Sequence, residues 1–569
     1  MKNFFSLLAF VIVGVVLVQC RVMNITKEAP LNLTRWDALG YYMYLPAVFI
    51  YDDVKHLEWL KEIDKKYNVT GGDGIPTTKL EDGNYTGKYL CGMSILQAPL
   101  FFAGHIIAGQ SDYPQDGFSP PYQYALGFGI ILYCLLALLL LRKILLRYFS
   151  DETVALTLLL VTLASNAVVY ISVDSGLSHA YIFVLYVLVI YTTIKWHEKP
   201  SLLWAAVTGL IIGVATISRP TEAIMLFIPL LWNTHNKSAA KEKWTMVKNH
   251  RHHVAAAAIA GVIGVLPQLI YWRVTTGSLI YDVGSKWDFL NPHFRVLFGW
   301  EKGWFIYTPV TILFVTGMFF VRRFPFRKSV LWFCLLNIWI IIAWHEWRYA
   351  ASYSTRALVQ SYPVFALALA ALIQQVTSSR LRPFLYLATL YLVAVNLFQV
   401  SQYTSGVLHY DDMNRRYYGS IYLNPDPTPL DMSLLDCNDI PSDLSDFNAS
   451  LIASQQATQV TFAPGSYLIY QQHIAFDTRE NWLSIQADIL APNSLWQTYL
   501  NAELRTPDSV KAAKVRLFRP LAVNDKPNRY HFFLKVPEQF AHSRLSIFLS
   551  SQHEFKGELK MLKVIHYKR

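Results

Sequence analysis

Of the 569 residues, 53% are hydrophobic and only 16% are charged. Soluble domains carry about a quarter charged residues, so the chain reads as a membrane protein. The net charge of +11 would suggest nucleic acid if Lys and Arg formed a soluble face. They fall instead in short breaks between apolar runs, as cytoplasmic loops require, and no nucleic-acid partner is expected.

The first apolar run, 4–20, follows one Lys and reads as a retained anchor or a cleaved signal peptide. Retention is preferred because it keeps Asp37 beside the membrane. In the polar stretch 21–121, the segment 89–107 is apolar, with Gly92, Pro99 and Gly104, and reads as an amphipathic or re-entrant helix on the outer surface. Further runs of roughly spanning length lie at 122–141, 154–171, 177–194, 202–218, 221–232, 254–272, 304–321, 329–344, 357–373 and 384–401, about eleven in all. Because Pro220 precedes the short 221–232 run, residues 202–232 read as a helix, a break and a half-length return.

With the N-terminus inside, the cytoplasmic breaks hold Arg142, Lys143 and Arg147, then Lys195 and Lys199, the basic stretch 237–251, Arg322 to Lys328, and Arg380 with Arg382. The His250, His252 and His253 tract lies among them and reads as part of that signal rather than as a metal site. Residues 21–121 and 402–569 then lie outside. Residues 402–450 read as a polar linker, and short β-type runs from 458 on predict a β-sandwich. The predicted fold is a polytopic all-α membrane domain (1–401) followed by a linker and a jelly-roll-like β-sandwich (402–569).

Five cysteines show no CxxC or Cys/His cluster of the kind that binds zinc. Cys134 and Cys334 read as packing residues, and Cys91 and Cys437 are left unpaired.

Asp37 is the first candidate for chemistry. It either caps a helix beginning near Ala38 or supplies an ionised carboxylate at the outer surface, able to take a proton from a hydroxyl. Arg219, Arg348 and Arg356 break the charge rule by lying in outer breaks. His179 and His105 lie beside apolar faces, where a structural hydrogen bond is the ordinary role. Trp344, Trp347, Tyr349 and Tyr353 form an interfacial aromatic belt, a surface for stacking sugars, or both. Asp53, with Asp52, either ends the helix after Asp37 or binds an acceptor.

Six motifs in order resemble bacterial membrane glycosyltransferases of the GT-C superfamily, close to the protein O-mannosyltransferase/aminoarabinose transferase type (families 39 and 83). They are Asp37-x-x-Gly40-Tyr41-Tyr42-x-Tyr44-Leu45-Pro46; Lys88-Tyr89-x-x-Gly92 through Pro99-x-Phe101-Phe102, with His105 beside it; Ser178-His179-Ala180; Ser218-Arg219-Pro220-Thr221; Gly303-Trp304-Phe305-x-Tyr307-Thr308-Pro309; and Trp344-x-x-Trp347-x-Tyr349-x-x-Ser352-Tyr353-x-x-Arg356. The last commonly has glycines where this chain has Ala350 and Ser354.

The resemblance covers residues 1 to about 401. It implies an inverting transferase of the bacterial inner membrane, working at the periplasmic face on a polyprenyl-phosphate sugar. Asp37 would be the base, and Arg219, Arg356 and Lys88 would meet the donor phosphate. His179, His105, the four aromatics and Asp53 would contact substrate. The acceptor would be a periplasmic glycan, lipid or protein hydroxyl, with membrane lipids as surroundings. No cofactor is required, a divalent metal remaining an open alternative. A lipid-linked saccharide flippase or transporter, or a polysaccharide ligase, is the competing reading; paired repeats and midplane charges, which transporters tend to show, are not evident.

Overall fold

The computed structural model describes residues 3–25, 31–72, 74–476, 480–491, 495–518 and 526–569. They form two compact units, Met1–Leu397 and Phe398–Arg569.

The first unit is helical. Among the described residues, seven helices are long and apolar enough to cross a membrane: Phe4–Asn24, Gly92–Gly109, Pro120–Leu145, Ser178–Glu198, Arg251–Thr276, Arg356–Thr377 and Arg382–Thr404. Several of the runs read from the sequence contain breaks and so are not among these long helices. Run 154–171 divides into Asp151–Thr162 and Ala167–Ser172, and run 304–321 into Trp304–Tyr307 and Val310–Gly317, with Pro309 between. The first break is satisfied internally, as an apolar surrounding demands. Asn396 Nδ2 donates to the carbonyls of Leu163 (2.7 Å) and Ser165 (2.9 Å). Asn166 Nδ2 donates to the carbonyls of Tyr353 and Thr355, and its Oδ1 accepts from the Tyr362 hydroxyl. Leu202–Ser218 ends at Arg219, which is extended (φ −151°), and Pro220 opens a tighter turn, Pro220–Leu226, followed by Phe227–Leu231.

The basic breaks converge at one end of the bundle. Arg147 pairs with Glu198, Arg382 with Glu152, and Arg142 Nε donates to Ser6. Asp151 accepts from the free N–H groups of Phe5 and Ser6, capping the first helix from a neighbour. Buried Lys243 donates to the carbonyls of Pro229, Leu230 and Trp232, closing the C-terminal end of Phe227–Leu231. The first helix is built into the bundle through the stripe Ser6, Ala9, Val13, Leu17 and Arg21.

Asp37, Arg219 and Arg356 all lie away from that end. Helix Gly92–Gly109 connects two chain positions there. A Cβ at Gly92 would meet Ser218 N at 2.5 Å, at the end of Leu202–Ser218, and one at Gly104 would meet Tyr122 Cα at 2.7 Å, at the start of Pro120–Leu145. The segment read from the sequence as an outer-surface helix is also long and apolar enough to cross a membrane.

The second unit is a double-sheet jelly roll. After the hairpin β1 (Thr77–Lys79) and β2 (Tyr85–Gly87) of the first unit, the strands are β3 (Asn448–Phe462), β4 (Gly465–Ala475), β5 (Asn481–Leu490), β6 (Thr498–Arg505), β7 (Val510–Arg516), β8 (Asn528–Val536), β9 (His542–Ser551) and β10 (Phe555–Lys568). The sheets run β3-β10-β5-β8 and β4-β9-β6-β7, all pairs antiparallel, around one core containing Leu483, Ile485, Leu500, Leu504, Ile547 and Leu562. β6 is absent from the sequence reading, although its alternating Leu500, Ala502 and Leu504 carry the period of two. Residues 402–450 are also more than a linker. They contain helices Arg415–Ile421 and Pro429–Ser433, the second closed by a Thr428/Asp431 capping box, and Arg516 of β7 holds Asp436 and Asp412. All five thiols are free.

Candidate active site

Asp37 is the first residue of the helix Asp37–Tyr42, with Trp36 at the cap position, so its side chain does not cap that helix. Both oxygens look outward to other elements. Oδ1 accepts from the Tyr89 hydroxyl, and Oδ2 takes the Arg356 guanidinium at 3.0 Å. Gly40 makes the first contact possible, since a Cβ there would stand 2.3 Å from the Tyr89 ring. The ring also packs on Tyr41, with centroids 4.5 Å apart. Burial alone would raise the carboxyl pKa. Arg356, the Tyr89 hydroxyl and nearby Lys88 overcome it and hold Asp37 below the usual carboxylate range. About a third of the side chain stays exposed, so the ionised oxygen can be reached.

Arg356 opens the turn Arg356–Ser361 and is itself carried by a heavily tied loop. Lys302 Nζ donates to the carbonyls of Arg348 and Ala350; Thr355 Oγ1 donates to the carbonyls of Val296 and Lys302. Tyr353 is fully buried, its backbone bonded to the Tyr170 hydroxyl and its own hydroxyl donating to Asn396. Tyr349 is buried and donates to the Ile341 carbonyl. The stacking role expected of these two tyrosines is therefore corrected, because both faces are taken up by protein. Trp344 packs on Tyr349 at 4.5 Å, and Trp347 lies against Arg295 and Arg348.

The residues standing where the resembling motif has glycine, Ala350 and Ser354, are left-handed at φ +50° and +54°. A side chain there costs about 1–2 kcal/mol. Ala350→Gly is expected to raise stability by about 1 kcal/mol, read as a higher unfolding temperature at unchanged activity.

His179 is buried next to Arg219, whose Nη1 lies 3.5 Å from Nδ1. Its Nδ1 is 2.7 Å from Gln360 Oε1; Gln360 Nε2 donates to Glu222 Oε1 at 2.7 Å; and the Tyr186 hydroxyl donates to Glu222 Oε2. This order has one consistent proton assignment when Glu222 is ionised. An acceptor-only carboxylate must face the amide NH2, so the amide oxygen faces His179, and Nδ1 carries the proton. Nε2 is then the bare nitrogen. Arg219 thus reaches His179, as Arg356 reaches Asp37. Glu222→Gln removes the fixed acceptor and frees the amide to turn. Stability is expected to fall by about 1–3 kcal/mol, the cost of an unsatisfied buried partner, read as a lower unfolding temperature.

No protein-family model matches the chain, and no curated protein is similar to it. Among solved structures it is similar to the apo oligosaccharyltransferase of Archaeoglobus fulgidus, at 13% identity over 78% of this chain and 61% of that one, with a TM-score of 0.42. The oligosaccharyltransferase AglB of Archaeoglobus fulgidus, in complex with an inhibitory peptide and a dolichol-phosphate, gives 13%, 78%, 61% and 0.41. The arabinosyltransferase EmbB of Mycobacterium smegmatis gives 11%, 98%, 64% and 0.30. The chain spans about three fifths of the length of the archaeal structures it matches. Likeness this loose carries no residue, substrate or partner across.

Two residues named from sequence do not join the cluster. His105 Nδ1 bonds to the Tyr122 hydroxyl and its ring packs on Phe101, tying Gly92–Gly109 to the next helix. Asp53 accepts from the backbone N–H groups of Lys55, His56 and Glu58. Burial works against its charge, but these bonds prevail and hold its pKa down, so it closes a turn. Lys88 is exposed and near enough to act on Asp37. Sequence reasoning missed Tyr89 as a partner of Asp37, and Glu222 and Gln360 altogether. An acid inside the apolar run 221–232 was the available signal for Glu222.

Proposed function

We propose that the chain is a glycosyltransferase of the bacterial inner membrane, with its site and C-terminal unit on the periplasmic side. It moves a sugar from a polyprenyl-phosphate carrier to a hydroxyl of a glycan, lipid or protein. The observation that carries this reading is the partly exposed Asp37 carboxylate held ionised between Arg356 and Tyr89, at the end of the bundle away from the basic breaks.

A lipid-linked donor stays in the bilayer, so its phosphate must be met at the membrane face. Asp37 takes the proton of the acceptor hydroxyl as the oxygen bonds to the anomeric carbon. The bond from that carbon to the phosphate oxygen breaks, and polyprenyl phosphate leaves with the electron pair, inverting the centre. Arg356, Arg219 and Lys88 meet the phosphate charge, the arginines with a fork that suits it.

Arg356 has a double part. While paired with Asp37 it keeps that group a weak base. A phosphate that draws Arg356 away leaves burial as the larger influence on Asp37 and makes it more basic when the donor is present. His179, positioned by Gln360 and Glu222, offers Nε2 as an acceptor to substrate.

The test uses the full chain in nanodiscs with a panel of radiolabelled polyprenyl-phosphate sugars and periplasmic extract. Label on an acceptor together with released polyprenyl phosphate supports the reading. In sealed vesicles, passage of labelled lipid across the bilayer without a new glycosidic bond would replace it with a transporter.

A further inference from the structure

The outward face of the β4-β9-β6-β7 sheet carries a row of basic side chains that the fold itself does not need. Register sets His473 of β4 opposite Arg544 of β9, and Arg544 opposite Arg505 of β6. His542 lies two residues before Arg544 and so on the same face. All four side chains are exposed. Like charges placed directly opposite one another on neighbouring strands destabilise a sheet, so the row is a cost to the free protein. Arg505 has a partial remedy in Glu503, 2.7 Å away. Among the described residues, no carboxylate pairs with Arg544.

The row borders a cleft of about 530 Å³, lined also by Thr506, Asp508 and Ser509. Farther along, the same face mixes amides and hydroxyls with Glu503, Phe548 and the exposed Leu468. Gln471 Nε2 donates to Ser546 Oγ at 3.0 Å, Asn501 Nδ2 to Ser550 Oγ at 2.9 Å, and Lys514 lies 4.4 Å over the Tyr499 ring.

We propose that this face binds an acidic saccharide, its carboxylate or phosphate set on the His473–Arg544–Arg505 row and its hydroxyls on the amide and hydroxyl ladder. Arginine forks suit both anions, and each ladder position both donates and accepts, as sugar hydroxyls do. An anionic membrane surface is the competing occupant, because Val510 opposite Arg505 and Leu468 opposite Phe548 are exposed on the same face; the amide and hydroxyl pairs favour the saccharide. The inference does not rest on the catalytic reading, because the face can bind whether or not the chain transfers sugar.

The full chain in zwitterionic nanodiscs is titrated with oligogalacturonate, a phosphomannan oligosaccharide and neutral maltoheptaose, and is separately sedimented with phosphatidylglycerol vesicles. One or both acidic oligosaccharides should bind at least about tenfold tighter than maltoheptaose, and which of them does so identifies the anion. Arg544→Gln and, separately, Arg505→Gln should each lower that affinity about tenfold or more, with Arg544→Gln unfolding at no lower temperature than the parent, since it removes like-charge repulsion. Equal binding of neutral and acidic sugars, affinity unmoved by both variants, or binding to vesicles alone would overturn the assignment.

Discussion

Asp37→Asn is expected to lower kcat by roughly 10²–10⁴-fold, the range supplied by a positioned general base. Asparagine has nearly the same shape and its oxygen can still accept from Arg356, so the loop that carries Arg356 should keep its place. What disappears is the lone pair that takes the proton, together with the negative charge that occupies Arg356. The donor KM should therefore stay level or fall, because Arg356 becomes free for phosphate. A fall in kcat without a rise in donor KM distinguishes a lost base from a damaged fold, which would weaken both. Single-turnover measurement of donor consumption separates the chemical step from product release.

Arg356→Gln is expected to act on binding and on pH together. Truncating one member of a hydrogen-bonded charge pair costs about 2–5 kcal/mol, so donor affinity should fall by roughly a hundredfold or more. The pH effect follows from Asp37. With Arg356 present, its pKa lies below the usual carboxylate range, so the acid limb of kcat/KM, which reports the free enzyme, should lie below that of an ordinary carboxylate. Without Arg356, burial is the leading influence and raises the pKa, and the acid limb should move upward. Stability shifts in the same sense. The lowered pKa contributes stability above the unfolded carboxylate value and loses it as pH falls through the folded value, so the variant should lose stability near neutral pH more than at low pH. Arg356→Lys should restore charge but not the fork, recovering part of the pH profile and less of the affinity. A profile that does not move in Arg356→Gln would remove Arg356 from the control of Asp37.

The sequence made some parts of this site legible and hid others for identifiable reasons. Asp37 stood out because an acid just beyond an apolar anchor has few structural tasks, and Arg219 and Arg356 stood out because cations on the outer side break the charge rule. The break at Arg219-Pro220 was readable because proline limits where a helix continues. Tyr89 could not be linked to Asp37 from sequence, because that bond spans 52 positions and depends on Gly40 leaving room for a ring. Tyr349 and Tyr353 were misread for the opposite reason. At a membrane boundary an aromatic residue signals an interface, but here burial and the Ile341 and Asn396 bonds decide its role.

Polar residues inside apolar runs mark where the helices break. Asn166 lies in such a run, and the distant Asn396 supplies the donors that let the helix break. In the second unit, seven of the eight strands coincide with short β-type runs in the sequence, and only β6 was missed, although Leu500, Ala502 and Leu504 alternate along it. Residues 402–450 have no comparable pattern, since Tyr417 and Ile421 are buried in a structure held by distant partners such as Arg516.

The central claim is that Asp37 serves sugar transfer from a lipid phosphate. The most direct measurement is the ratio of glycosylated acceptor to released polyprenyl phosphate for the parent and Asp37→Asn, at equal protein in the same nanodiscs with the active donor of the panel. The account predicts one product per released lipid in the parent and roughly a hundredfold less of both, or lower still, in the variant. Undiminished product formation by Asp37→Asn would contradict it.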